Sequence, residues 1–329
     1  MIPILLQAHT RSLTKVIYNH SGDLLFSASK DDKPNVWRTI NGERLGSYNG
    51  HRGTVWSLDV TRDSAILASG SADNSFRLWD VECGKSRNAV ETDTGVRSVA
   101  WAMGDQLLAV LTDNTMGFTA SVLIYDVRAG EVVRKVLPNE IGKKPTIVRW
   151  TDCNEALLTG HDDGHVALWD AASSKLLTST RPHSDTIRDL QFSRDRTYFI
   201  TASKDTTAKL IETANLKAIK TYQTERPVNS AAISPVRTEV LVAGGQEALN
   251  VTTTSSRAGQ FEARFFHEIW ESEIGRVRGH FGPINTLAYA PDGRGYASGA
   301  EDGYIRLHSF DPDYYEFAMI DPDLDEPLL

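Results

Sequence analysis

The chain has 329 residues, 40% of them hydrophobic and 24% charged, with a formal net charge of −8. That is ordinary composition for a folded protein with ample length for a buried core, and it excludes the strongly basic footprint of a dedicated nucleic-acid binder. No apolar run approaches the about 18 residues of a membrane span, and two cysteines, Cys83 and Cys153, are too few for a disulfide framework.

The opening MIPILLQAHTR is apolar at first but lacks a basic region followed by a long apolar one, so it does not read as a signal peptide. These features favour a cytosolic protein, in which the sequons Asn19-His20-Ser21 and Asn250-Val251-Thr252 are chance matches. Residues 2–6 are expected to form a strand that joins the two ends of the chain.

His9, Ser27, Asp31 and Trp37 begin a frame that recurs along the chain. The second copy has His51, Ser69, Asp73 and Trp79, in SGSADNSFRLWD. In each, the hydroxyl residue stands ten positions before the anchor, the aspartate six before it and the histidine 28 before it. Gly84-Lys85-Ser86 ends like a phosphate-binding loop, but Trp79 occupies the position that needs a glycine. A weaker third copy ends SVLIYD with Tyr125 as anchor. The fourth, TGHDDGHVALWD, supplies Thr159, Asp163 and Trp169, but Ile141 stands in its histidine slot. The fifth has His183, Thr201, Asp205 and Ile211. The sixth is weak, with Glu247 in the aspartate slot and Thr253 as expected anchor. The seventh has His280, Ser298, Asp302 and His308.

The seven anchors are spaced by 42, 46, 44, 42, 42 and 55 residues. A repeat of about 40–45 residues marked by Gly-His and Trp-Asp is the signature of a WD-repeat β-propeller. Short alternating segments such as TVWSLDV, AILASGS and SFRLWD read as four strands per blade. The expected fold is therefore all-β, a seven-bladed propeller over residues 1–312 closed by the N-terminal strand as the outer strand of the last blade. Closure removes the exposed strand edges that an open array would leave. Residues 313–329 are expected to be an acidic tail. From Asp311 onward the chain has seven acids and no lysine or arginine, and its Pro-Asp pairs argue against a helix.

His, Ser and Asp together are the parts of a hydrolase triad, and His161, Asp162, Asp163 and His165 are all metal-ligand types. Recurrence argues for structure instead. A buried Trp N–H needs an acceptor, a hydroxyl accepts it and donates to His, and His donates its other N–H to Asp. Leaving such groups unpaired costs about 1–3 kcal/mol each. No G-x-S-x-G elbow occurs, so the chain is read as a non-enzyme without metal or cofactor. The two lone cysteines are expected in the core.

The run EALNVTTTSSRAGQFEARFFHEIWESEIGRVRGHFGPINTLAYAPDGRGYASGAEDGYIRLHSFD and the opening MIPILLQAHTRSLTKVIYNHSGDLLFSASKD closely resemble the WD-repeat i subunits of eukaryotic translation initiation factor three. The resemblance runs end to end. It implies a non-catalytic, cytoplasmic scaffold subunit that binds the C-terminal helical segment of subunit b and also subunit g. Through the complex it would sit on the small ribosomal subunit and support scanning, without touching a membrane. The family's helix contact lies beside blades five and six. There Glu212, just after Ile211, and Glu225, 28 residues before Thr253, are expected to receive Lys or Arg. Phe265, Phe266 and Trp270 nearby are expected to form a docking surface or to pack the edge of blade six. A rival reading is a substrate receptor of a cullin ubiquitin ligase, because Tyr125-Asp126-Val127-Arg128 resembles that group's W-D-x-R box.

Overall fold

Each polar turn reverses the chain, and each repeat of the sequence becomes one antiparallel sheet. The computed structural model describes residues 3–115, 117–136, 144–245 and 261–316. Strand β1 (Ile4–Gln7) precedes the first complete blade, β2 (Leu13–Tyr18), β3 (Leu24–Ser29), β4 (Asn35–Arg38) and β5 (Arg44–Ser47). Blade two is β6 (Val55–Val60), β7 (Ile66–Ser71), β8 (Ser75–Asp80) and β9 (Ser86–Glu91). Blade three is β10 (Val96–Trp101), β11 (Leu107–Thr112), β12 (Val122–Asp126) and β13 (Glu131–Val136). Blade four is β14 (Pro145–Trp150), β15 (Ala156–His161), β16 (Val166–Asp170) and β17 (Leu176–Thr180). Blade five is β18 (Ile187–Phe192), β19 (Tyr198–Ser203), β20 (Thr207–Glu212) and β21 (Ala218–Gln223). Blade six is β22 (Val228–Ile233), β23 (Glu239–Gly244), β24 (Phe261–His267) and β25 (Glu273–His280). Blade seven is β26 (Ile284–Tyr289), β27 (Gly295–Ala300) and β28 (Tyr304–Ser309), with β1 as its outer strand.

Neighbouring blades cover both faces of each sheet, so the second strands are buried almost throughout. LLFSAS, ILASGS, LLAVLT and YFITAS are runs of apolar and small residues rather than strict alternations. Among the described residues seven apolar clusters result, one between each pair of neighbours around the ring. Gly70 shows how tight this packing is: a Cβ there would stand 2.5 Å from Val96 of the next blade.

The ring closes as the sequence predicts. β1 pairs with β28 from Ile4–Leu307 to Gln7–Tyr304. Leu6 is buried with Ala297 and Ile305 of blade seven and with Leu13, Leu25 and Trp37 of blade one. The loops that enter the inner strands share one face, the upper, with the turns between second and third strands. The turns after first and third strands share the lower face.

The structure corrects the sequence frame in blade six. An anchor stands opposite a fixed position of the second strand, as Trp79 stands opposite Leu67 and Trp169 opposite Leu157. In blade six the residue so placed is Phe266, opposite Val240. Thr253 and Glu247 lie outside the described residues, as does Ile141 in blade four. The extra residues of this repeat therefore fall between β23 and β24, before the anchor and not after it. Aligned on the starts of the inner strands, the slot of His51 is filled in blade six by Thr224, one residue before Glu225.

Two further expectations are revised. Cys83 and Cys153 are exposed, in turns, not in the core. The start of the tail is helical: α1 (Pro312–Glu316) spans the expected 312/313 boundary. Its Tyr314 stacks on Phe310 at 4.2 Å and its hydroxyl donates to Glu239, while Tyr315 donates to the Gly293 carbonyl at 3.0 Å. These aromatic contacts outweigh the poor helix composition. Residues 317–329 lie outside the described residues.

Candidate functional site

The recurrent side chains meet within each blade. In blade one, Trp37 donates to Ser27 at 2.9 Å, His9 Nε2 lies 2.8 Å from the Ser27 hydroxyl, and His9 Nδ1 lies 2.7 Å from Asp31. Blade two repeats this with Trp79, Ser69, His51 and Asp73 at 2.8, 2.7 and 2.9 Å. Blades five and seven keep the histidine contacts, His183 to Thr201 and Asp205 at 2.8 and 2.9 Å and His280 to Ser298 and Asp302 at 2.8 and 3.1 Å. Blade five has no indole donor because Ile211 fills the anchor slot. In blade seven His308 fills it and stacks on Tyr296 at 4.5 Å.

These hydroxyls are buried: Ser27, Ser69 and Thr201 are 0% exposed and Ser298 1%. A substrate carbonyl has no path to them, and in blades one and two the oxygen is already occupied by an indole. Burial opposes ionisation of Asp31, Asp73, Asp205 and Asp302, but the histidine hydrogen bonds and backbone N–H groups outweigh it and hold all four below the usual carboxylate range.

Blade four divides the work of one histidine between two. His161 Nε2 contacts Thr159 at 3.0 Å, and Trp169 donates to the same hydroxyl at 2.9 Å. His165 Nδ1 stands 3.0 Å from Asp163. His161 is 0% exposed, and burial pushes it down to about 4, so it is neutral at physiological pH. The four clustered residues therefore serve separate contacts. Among the described residues no group of three metal-ligating side chains converges.

The aspartate of each Trp-Asp pair caps the turn that follows. Asp80 accepts from the Glu82 and Cys83 N–H groups, Asp126 from Arg128 and Ala129, and Asp170 from Ala172 and Ser173. Asp126 thus has the same local task as its equivalents, which removes most of the distinctiveness of the Tyr125–Arg128 box.

One constellation lies outside the repeat frame. Lys15 on β2 of blade one reaches across the central channel to Asp189 on β18 of blade five, 2.9 Å away. Asp189 also accepts from Gln191 at 2.9 Å and from Ser230 at 2.5 Å. Both charges are buried. Burial works against the Asp189 carboxylate, and Lys15 with its hydroxyl partner overcomes that and holds it low. No sequence periodicity signals the pair, because it joins inward-facing residues of blades that are not neighbours.

At blades five and six, Glu212 and Glu225 stand at opposite faces. Glu212 ends β20 on the lower face and accepts from Asn215 at 2.6 Å. Glu225 lies beyond β21 on the upper face, its side chain 78% exposed and 3.8 Å from Arg264. Arg264, Arg276 and Arg278 surround the buried Glu262. Phe265 and Phe266 are buried, Phe265 against Tyr296 and Phe310 of blade seven and Phe266 against Tyr222 of blade five. Their burial takes them out of any surface and leaves the edge-packing alternative. Trp270 is half-buried and stacks on His267 at 3.9 Å.

The chain matches the family model EIF3I over residues 1–320. It is 51% identical over 315 residues to the Nematostella vectensis protein called eukaryotic translation initiation factor 3 subunit I, covering 95% of this chain and 98% of that one. The proteins of the same name from Xenopus tropicalis and Homo sapiens are 50% and 49% identical over 325 residues, covering 97% of this chain and 99% of each relative.

Proposed function

The chain belongs to the family of eukaryotic translation initiation factor 3 subunit I, and from that premise we propose a non-catalytic scaffold that binds subunits b and g and supports scanning on the small ribosomal subunit. The observation that carries the reading is the match at about half identity over nearly the whole chain. The blade chemistry agrees with it, since the His-Ser-Asp sets are consumed in holding strands together. No helix among the described residues is long and apolar enough to cross a membrane, and cytoplasmic residence follows from the proposed role. The relatives' names favour no ubiquitin-ligase role.

The contact with subunit b is placed along the rim of β21. Its six residues span about 20 Å at 3.3 Å per residue, with Glu212 at one end and Glu225 beyond the other. A helix of about 14 residues has the same length, so one basic helix lying along the strand reaches both acids. Exposure of Glu225 moderates the effect through solvent screening. Glu212→Lys combined with Glu225→Lys is expected to weaken capture of the C-terminal segment of subunit b at least tenfold, about 1.4 kcal/mol, with the melting temperature unchanged. Undiminished capture by a folded double variant rejects this placement.

A further inference from the structure

The outer strands carry a repeated irregularity. In blades one to six the strand bulges at the residue eight positions after the anchor: Leu45, Arg87, Val133, Leu177, Ile219 and Ile274 each fall between two paired positions. Five of the six are aliphatic, and those five are 41–55% exposed. A bulge interrupts the ladder and twists the edge, which blocks addition of a further strand. What remains for recognition is side chains.

Between blades three and four two of these residues frame a groove of about 780 Å³ on the lower face. Val133 and Leu177 are among the residues that line it, as are Leu168 and the largely buried Ile124. Asp126, Glu155 and Asp170 rim it against one cation, Arg134, whose guanidinium already donates to the Ala171 carbonyl at 2.8 Å. The equivalent groove between blades one and two, about 610 Å³, has Arg87 in one bulge slot, paired with Asp80 at 2.6 Å. Of these two grooves, both rimmed by three acids against one arginine, that of blades three and four is the one with two apolar bulge residues.

We propose that this groove is a second docking surface, taking an amphipathic α-helix of a partner protein that has an apolar stripe flanked by lysine or arginine. A helix satisfies its own backbone, so it needs nothing from the bulged edges. Its stripe covers the aliphatics, and its basic flanks meet the acids on the rim. The proposal does not depend on the contact along β21.

The test uses the full chain and labelled synthetic peptides of leucine and lysine. One places leucine at positions i, i+3, i+4 and i+7, and a second has the same composition in scrambled order. Fluorescence anisotropy is expected to show the amphipathic peptide binding at least tenfold more tightly than the scrambled one. Val133→Glu with Leu177→Glu, and separately Asp126→Asn with Glu155→Lys, in which the amide oxygen still accepts from the turn N–H groups, should each weaken it at least tenfold, while Leu45→Glu in the other groove leaves it unchanged. These side chains are at the surface, so the variants keep the fold, which circular dichroism checks. Equal affinity for both peptides, equal loss with Leu45→Glu, or no loss in either variant pair overturns the proposal. Self-association that disappears in the variants, with no peptide binding, also overturns it and gives the groove to a second copy of the chain.

Discussion

A chain lacking residues 1–8 is expected to melt on the order of 10 °C or more below the full-length protein. The deletion removes the whole of β1 and its pairing with β28. It strips Leu6 from the cluster that joins blades seven and one, and losing a buried leucine side chain alone costs about 2–5 kcal/mol. For a chain of this size each kcal/mol moves the transition by roughly 2 °C. The bare edge of β28 adds a second effect, because an unpaired strand edge templates association. The truncated protein is therefore expected to form dimers or larger species in gel filtration. A truncated chain that stays monomeric and melts within about 2 °C of the full-length protein contradicts closure by β1.

The second large effect is expected in the central channel. Lys15→Met takes from the buried Asp189 carboxylate the cation that touches it, leaving Arg149 as the remaining nearby positive charge, and removing one partner of a buried pair costs about 3–5 kcal/mol. Ser230 and Gln191 still donate to it, which places the expected loss at the lower end of that range. Lys15→Met with Asp189→Asn removes the charge that has lost its partner and retains an acceptor oxygen for Ser230 and Gln191, although the Leu190 N–H at 3.0 Å faces the other side of the group, so it is expected to recover at least half of the loss. Chemical denaturation of the wild type, both single variants and the double variant completes the cycle. A single substitution costing less than about 1 kcal/mol, or a double variant as unstable as the sum of the singles, shows that the pair is not a tie between blades one and five.

Most of the ring is legible in the sequence because a β-propeller repeats its own solution. His51, Ser69, Asp73 and Trp79 are fixed in spacing by the strand lengths that separate them, so the same spacing reappears wherever a blade uses the same bonds. The reading fails where a blade abandons them. In blade six the anchor is a phenylalanine without a polar partner, so nothing in the sequence distinguishes it from Phe265. The stretch FEARFFH admits either as the inward residue, and only the pairing of Phe266 with Val240 decides. Placing the anchor at Thr253 instead shifts the slot of Glu225 by one.

The channel pair is hidden for another reason. Periodicity tells which residues point inward but not which of them meet across the axis, and Lys15 and Asp189 are 174 residues apart. The cysteines mislead because free cysteine is usually buried. Here Cys83 sits in a turn after Asp80, where backbone capping sets the position and the side chain does not. The outer-strand bulges repeat as regularly as the anchors, but aliphatic residues next to a turn carry no polar mark that makes the repeat visible.

As a member of the subunit I family, the chain is expected to work within initiation factor 3 and to make its contacts through the propeller. Affinity purification of the tagged full-length chain from its own cells, followed by mass spectrometry and sedimentation, tests this most directly. The expected result is recovery of the other subunits of the factor in near-equal amounts, subunits b and g among them, and a fraction that sediments with the small ribosomal subunit. Recovery of a cullin adaptor in their place, with no initiation-factor subunits, contradicts it.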